Sequence, residues 1–61
     1  MRYIVFRDAD GVEVKRGHCV ATDLQLQAGA GQTAYPLSAE EEAIGLTLQQ
    51  LPSGEIVPYA A

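Results

Sequence analysis

A β-hairpin pattern occupies the first quarter of the sequence and narrows the folds that the chain can adopt. Residues 2–7 are rich in the β-branched and aromatic side chains that strands favour. The sequence Asp-Ala-Asp-Gly follows at residues 8–11, and it favours a turn because Asp accepts turn hydrogen bonds and Gly adopts positive φ easily. Residues 12–16 then alternate apolar and polar side chains, as a half-buried strand does. These patterns predict a hairpin over residues 2–16.

The two strands of this hairpin differ in how their side chains alternate. In the second strand, Val12 and Val14 are expected to face the core. Glu13 and Lys15 are expected in solvent. In the first strand both alternating sets are apolar, so we expect both faces to be covered, one of them by a partner. The apolar residues of the first strand are candidate interface residues: Tyr3, Ile4, Val5 and Phe6.

A short helix is predicted over residues 23–28. Thr22 and Gln25 have the spacing of a capping box, in which each side chain binds a backbone N–H left unpaired by the first turn. Gly29 stands where a helix commonly ends. The alternation of Leu and Gln over residues 24–27 leaves a strand as the alternative.

The middle of the chain predicts a flexible linker followed by two short elements. Two glycines make residues 29–31 the expected hinge. Residues 33–37 are expected to be extended, and Pro36 confines them to an edge strand or a loop because it has no N–H. Ser38 and Glu41 form a second capping-box pattern, which predicts the start of a helical turn.

A second hairpin is predicted over residues 44–59. Apolar residues alternate from 44 to 48, and Leu-Pro-Ser-Gly at residues 51–54 predicts a turn. Pro58 confines the returning strand to an edge. Together the pieces predict a small β-rich α+β fold. Two antiparallel β-hairpins are joined by the short helix and the linker, in a single domain over residues 1–61.

Charge is distributed unevenly along the chain, and this bears on its partners. The formal net charge is -4, and all four basic residues lie within the first sixteen positions. Nucleic-acid binders need Lys and Arg to replace the counterions of phosphates, so we predict no nucleic-acid partner. We predict no membrane partner for the same reason. The apolar run at residues 3–6 is also too short to span a bilayer.

Two short motifs are similar to chemical sites but lack the residues that such sites need. His18 and Cys19 have no second His or Cys with which to hold zinc. Adjacent residues of an extended chain also point to opposite faces, which argues against a Cys–His catalytic pair. Asp8 and Asp10 are spaced like the first ligands of a calcium loop, but Cys19 takes the place of its final Glu. We expect Cys19 to be buried and His18 exposed, and we predict no enzymatic activity, no metal and no cofactor.

The length of the chain favours association with other chains. A domain of this size buries only about 60% of the surface that its unfolded form exposes. The single cysteine provides no internal disulfide. Tyrosine combines a large contact area with a polar tip, so the three tyrosines are interface candidates. They are Tyr3, Tyr35 and Tyr59.

Several short motifs lie in an order typical of one group of proteins. After the first hairpin these are Gly-His-Cys at residues 17–19, Asp-Leu at 23–24, Gln-Ala-Gly at 27–29 and Gly-Glu-Ile-Val at 54–57. In this order the chain resembles small accessory virion proteins of tailed bacteriophages, often tail-fibre proteins, over residues 2–57. Residues 32–42 depart from the pattern of that group. The resemblance implies a structural role and supplies no catalytic residues.

Two functions are consistent with these patterns. The first is a non-enzymatic structural component of a tailed-phage virion, bound in multiple copies to a larger capsid or tail protein or to other copies of itself. Such a chain is made in the host cytoplasm and resides in the virion. The alternative is a small cytoplasmic regulatory or inhibitory module that acts on a host protein. It would act through the acidic C-terminal half, which includes the glutamates at residues 40–42.

Overall fold

The computed structural model describes residues 1–60, and strands dominate it. Within this range five strands and two short helices follow one another. In order they are β1 (Arg2–Arg7), β2 (Glu13–His18), a 3₁₀ helix (Ala21–Gln27), β3 (Gln32–Pro36), α1 (Ala39–Glu42), β4 (Leu48–Gln50) and β5 (Ile56–Pro58). The strands form one antiparallel sheet in the order β2-β1-β3 and a second sheet of β4 and β5. The predicted small β-rich α+β class is confirmed.

Strand β1 is the centre of the larger sheet, with β2 on one edge and β3 on the other. The pairing of β1 with β2 confirms the first hairpin. Strand β3 is the extended segment that was expected near Pro36, and it lies at a sheet edge as that proline requires. The residues expected to be a flexible hinge form the short connection between the 3₁₀ helix and β3.

Both faces of β1 are covered by this chain itself. Ile4 and Phe6 pack on one face against Leu37 and Leu48, beneath the C-terminal hairpin. Tyr3 and Val5 pack on the other face. Their neighbours there come from β3, from the residue after β2, and from the 3₁₀ helix and the residue after it: Ala34, Cys19, Leu24 and Ala28. The doubly apolar pattern of β1 therefore belongs to a central strand, and the expectation that a partner covers one face is wrong.

A β-bulge in β2 changes which of its side chains are buried. Val5 pairs with Lys15, whereas Phe6 pairs with Glu13, so the strand carries one extra residue at Val14. The extra residue shifts the alternation by one position. Val14 is consequently exposed, and the Glu13 side chain is almost wholly covered. The prediction that Val14 faces the core and Glu13 faces solvent is wrong for this reason.

The two predicted helix starts have different outcomes. The first helix is a 3₁₀ helix that begins at Ala21, and Val20 precedes it with no side-chain cap. Thr22 lies inside that helix, so the predicted Thr22–Gln25 capping box is wrong. The capping box at Ser38 is confirmed, because Glu41 N–H donates to the Ser38 hydroxyl and Ser38 N–H donates to the Glu41 carboxylate.

The C-terminal hairpin is shorter than predicted and is joined to the first one. Its paired strands, β4 and β5, begin only at Leu48, so the alternation over residues 44–47 does not form a strand. The Gln50 N–H donates to the Gly11 carbonyl at 2.8 Å, and Gln49 pairs with Val12. Gly11 has a φ of 73°, and a Cβ at this position would overlap the Gln50 carbonyl oxygen. The contact between the two hairpins therefore requires glycine there.

Candidate functional site

The structure distributes the predicted interface residues between core and surface. Ile4 and Val5 are both 0% exposed, and Tyr3 and Phe6 are also buried within this chain. Tyr35 is half-buried, with its ring centroid 6.0 Å from that of Phe6. Tyr59 is exposed. The first strand is therefore central and buried on both faces, and its apolar residues are not available to a partner as the sequence led us to expect.

The open edges of the sheet belong to β2 and β3. The alternation of hydrogen bonds along each strand shows which backbone N–H and C=O groups point outward from each edge. In an antiparallel pair, alternate residues direct both their N–H and C=O toward the neighbouring strand. Met1 and Cys19 exchange backbone bonds of 2.6 and 3.0 Å. By the β1–β2 register, the backbone groups of Gly17 and Lys15 also point toward β1. The backbone groups of Arg16 and His18 consequently point away from the sheet.

The edge of β3 is poor in donors. Asp8 N–H binds the Gly31 carbonyl and Leu37 N–H binds the Arg2 carbonyl, so Gln32, Ala34 and Pro36 face outward. The Gln32 N–H is already bonded to Gly29, and Pro36 has none. Within β3, Ala34 thus supplies the one outward N–H. Such blunting limits pairing with another chain.

The edge of β2 is open over its second half. The residues just before β2 pair with β4, through the Gly11–Gln50 bond and the Val12–Gln49 bridge, and the Leu48 N–H bonds the Glu13 side chain at its start. Beyond the bulge, Arg16 and His18 present two outward N–H groups and two outward carbonyls. These two alternate residues, each with a free donor and a free acceptor, form a template for an added strand.

A clamp of two charged side chains lies beside this edge. The Arg16 guanidinium donates two bonds of 2.6 Å to the Glu13 carboxylate. It also donates to the carbonyls of Ile44 and Leu46, at 3.1 and 2.9 Å, and Leu48 N–H donates to Glu13. These bonds hold residues 44–48 against β2 and explain why that segment is irregular rather than a strand.

The clamp and a second ion pair shift the acidity of their carboxyl groups. The Arg16 bonds, together with the Leu48 N–H, hold the pKa of Glu13 below its usual value, against the effect of burial. Asp10 has a lowered pKa because Arg7 and the Val12 N–H bond to it. Both carboxylates therefore favour the folded state most when they are ionised.

Sequence reasoning missed the clamp. Residues three apart on a regular strand point to opposite faces, so Glu13 and Arg16 were not expected to meet. The bulge at Val14 supplies the extra residue that brings both to one face. The sequence around Val14 carries no glycine or other bulge signal, so this pairing could be found only from the structure.

Other polar groups are matched within the chain. Arg2 and His18 both approach the Glu42 carboxylate, at 2.8 and 3.4 Å. Asp8 accepts a bond from the Thr33 hydroxyl of β3, whereas Asp10 accepts bonds from Arg7 and from the Val12 N–H within the first turn. Residues 1–60 contain no group of three or more His, Cys, Asp or Glu side chains placed to hold a metal.

A shallow cleft of about 550 Å³ lies between the two hairpin turns. Its walls are the first turn and residues 50–54, and Tyr35 lies at its side. Three charged groups line it: Arg7 and Asp10 are bonded to each other, and Asp8 accepts a bond from the Thr33 hydroxyl.

Apolar side chains remain on the surface near the open edge. Val14 precedes the outward-facing part of β2 and is 43% exposed, and Val20 follows it and is 61% exposed. Further exposed apolar residues lie elsewhere: Met1, Leu26, Leu46 and Tyr59. Residues 1–60 thus include seven buried core residues and six large apolar side chains in contact with water.

Comparison with known proteins adds no further constraint. No family model, curated protein or solved structure matches this chain. Among residues 1–60, no helix is both long enough and apolar enough to cross a membrane.

Proposed function

We propose that this chain is a non-enzymatic structural component of a tailed-phage virion, bound in multiple copies through the edge of β2. The observation that carries the proposal is the open half of β2, where two outward-facing residues lie between exposed valines. Strand addition there gains backbone hydrogen bonds, and side chains beside the edge contribute apolar contact. A domain with a small core can associate in this way without rearranging.

The charge distribution supports a protein partner. Each of the three arginines is paired with a carboxylate of this chain: Arg2 with Glu42, Arg7 with Asp10 and Arg16 with Glu13. Lys15 is the remaining basic side chain. Phosphate backbones are bound by several unmatched Lys or Arg residues, and this surface offers a net negative charge instead.

The assignment to a virion rests on the resemblance to small phage accessory proteins. Its Gly-His-Cys motif contains the end of β2, and the Tyr3 ring lies across Gly17 in that motif. A Cβ at Gly17 would come within 3.1 Å of the Tyr3 hydroxyl oxygen. The motif therefore coincides with the part of β2 that carries the open edge.

The test is to look for the chain in purified particles of the virus that encodes it. We expect mass spectrometry to find it there in many copies, resistant to a high-salt wash because strand pairing does not depend on surface charge. Val14→Lys should remove it from particles, whereas the matched control Leu26→Lys, on the 3₁₀ helix, should not. A chain that is absent from particles and bound to a host protein would refute the virion proposal and favour the regulatory alternative.

A further inference from the structure

We propose that the open edge of β2 pairs with the same edge of a second copy, around a two-fold axis at Gly17. The inference rests on the proposal that the chain associates through β2, but not on its assignment to a virion. A symmetric pair of antiparallel strands needs an edge that is complementary to itself. The edge of β2 meets this requirement in one particular register.

The hydrogen-bond phase limits the registers that are available. Only the outward residues Arg16 and His18 can exchange backbone bonds with a neighbour beyond the bulge. If Arg16 pairs with His18 of the second copy, symmetry makes His18 pair with Arg16. The two pairs together form four backbone hydrogen bonds. The same register places Gly17 opposite Gly17.

The side chains favour this register over its neighbours. Shifting the axis by one residue in either direction, to Arg16 or to His18, separates Val14 of one copy from Val20 of the other. The register centred on Gly17 avoids this and places Arg16, already neutralised by Glu13, opposite His18. Two facing glycines also allow the close backbone approach of a pair that exchanges no hydrogen bonds.

The exposed valines supply the apolar part of this interface. Counting outward from Gly17, Val14 of one copy lies opposite Val20 of the other, and the pair occurs twice. Both valines are exposed in the single chain, and the backbone at Val20 is extended, with φ -75° and ψ 149°. The result is one six-stranded sheet in the order β3-β1-β2-β2-β1-β3, whose outer edges are the donor-poor β3 strands.

The primary test measures association and exchange on the purified chain. Light scattering from about 10 μM to about 1 mM should show a monomer–dimer equilibrium. Amide exchange of Arg16 and His18 should slow by about tenfold or more as the dimer forms. The Ala34 amide, outward on the other edge, is the internal control and should not change. A folded chain that stays monomeric at the highest concentration would refute the inference.

Charge-pair variants test the register itself. Val14→Lys with Val20→Lys places lysines opposite each other twice and should abolish the dimer. Val14→Lys with Val20→Glu restores opposite charges in the same positions and should recover dimerisation, and circular dichroism checks that both variants fold. A dimer that survives the Lys/Lys variant, or is not recovered by the Lys/Glu variant, would show that this register is wrong. Particle incorporation without a dimer would leave the virion proposal standing and refute only the two-fold pair.

Discussion

Replacing Arg16 by Lys tests whether the clamp beside β2 holds the two hairpins together. The guanidinium donates four hydrogen bonds, two to Glu13 and two to the backbone of residues 44–46. Lysine preserves the positive charge but concentrates its donors at a single nitrogen. It can therefore satisfy the carboxylate or the carbonyls, but not all four acceptors.

The expected loss can be counted from these bonds. We take two of the four bonds as lost, at about 1 kcal/mol each, which gives a destabilisation of about 2 kcal/mol. The bonds are shielded from water, since the Arg16 and Glu13 side chains are only 23% and 11% exposed. For a domain of this size, whose total stability is of the order of a few kcal/mol, such a loss is a large fraction.

The chain contains a matched control in Arg7. Arg7 also bonds a carboxylate three residues away through two nitrogens, but this pair is exposed and, within residues 1–60, the guanidinium donates no hydrogen bond to another segment. Arg7→Lys should therefore change stability much less than Arg16→Lys, because water competes for an exposed pair. The two substitutions differ in burial and in the backbone contacts, and share the same chemistry.

Urea unfolding followed by tyrosine fluorescence and circular dichroism measures the difference. With a slope of about 1 kcal/mol per molar urea, Arg16→Lys should lower the midpoint by about 2 M. Amide exchange of Leu48 should accelerate in the same variant, because its N–H is bonded to Glu13. Equal midpoints for the Arg16 and Arg7 variants would refute the conclusion that the clamp contributes more than a surface ion pair.

Three further predictions concern single positions. Gly11→Ala should destabilise the fold by about 3 kcal/mol, because the positive φ and the overlap with the Gln50 carbonyl act together. Gly54 also has a positive φ but faces open space, so Gly54→Ala should cost only about 1 kcal/mol in the same urea titration. Folding lowers the pKa of Glu13, so its carboxylate stabilises the folded state fully at pH values above its unfolded-state pKa. This stabilisation is lost as the pH falls through the folded-state pKa. Stability should thus decline with acidification, and less steeply in Glu13→Gln. The Cys19 side chain is half-buried, not fully buried as expected from the sequence, and it packs against the core. Cys19→Ala should therefore cost about 1 kcal/mol and leave association intact, and loss of the dimer in a folded variant would contradict this.

Local signals in the sequence identified the elements whose cause is also local. The first turn, the capping box at Ser38 and the turn of the C-terminal hairpin each depend on residues within a few positions of one another. Pro36 correctly indicated an edge strand, because its missing N–H acts wherever the strand is placed. In these cases the residues that form the sequence pattern are the same residues that make the local hydrogen bonds or remove a donor.

The failures have causes that lie elsewhere in the chain. Whether the second face of β1 is covered by a partner or by this chain depends on the 3₁₀ helix and β3, about thirty positions away in the case of Ala34. The alternation at residues 44–47 suggested a strand, but Arg16 takes two of the carbonyls in that segment. The apolar pattern of a strand is the same whether its second face is covered by a partner or by another segment of the same chain.

The bulge at Val14 adds one residue to a β1–β2 hairpin that is otherwise regular. Deleting Val14 leaves one residue opposite Val5 and preserves the faces of all other side chains, so Glu13 and Arg16 remain on the same side. We expect this variant to fold, with a stability within about 1 kcal/mol of the parent chain. The matched control is deletion of Tyr35 from β3, whose pairing with β1 is regular. That deletion turns part of β3 onto its opposite face, so circular dichroism and urea unfolding should find it unfolded. If deletion of Val14 unfolds the chain as completely as deletion of Tyr35 does, the bulge is required by the fold and the register argument for β2 fails.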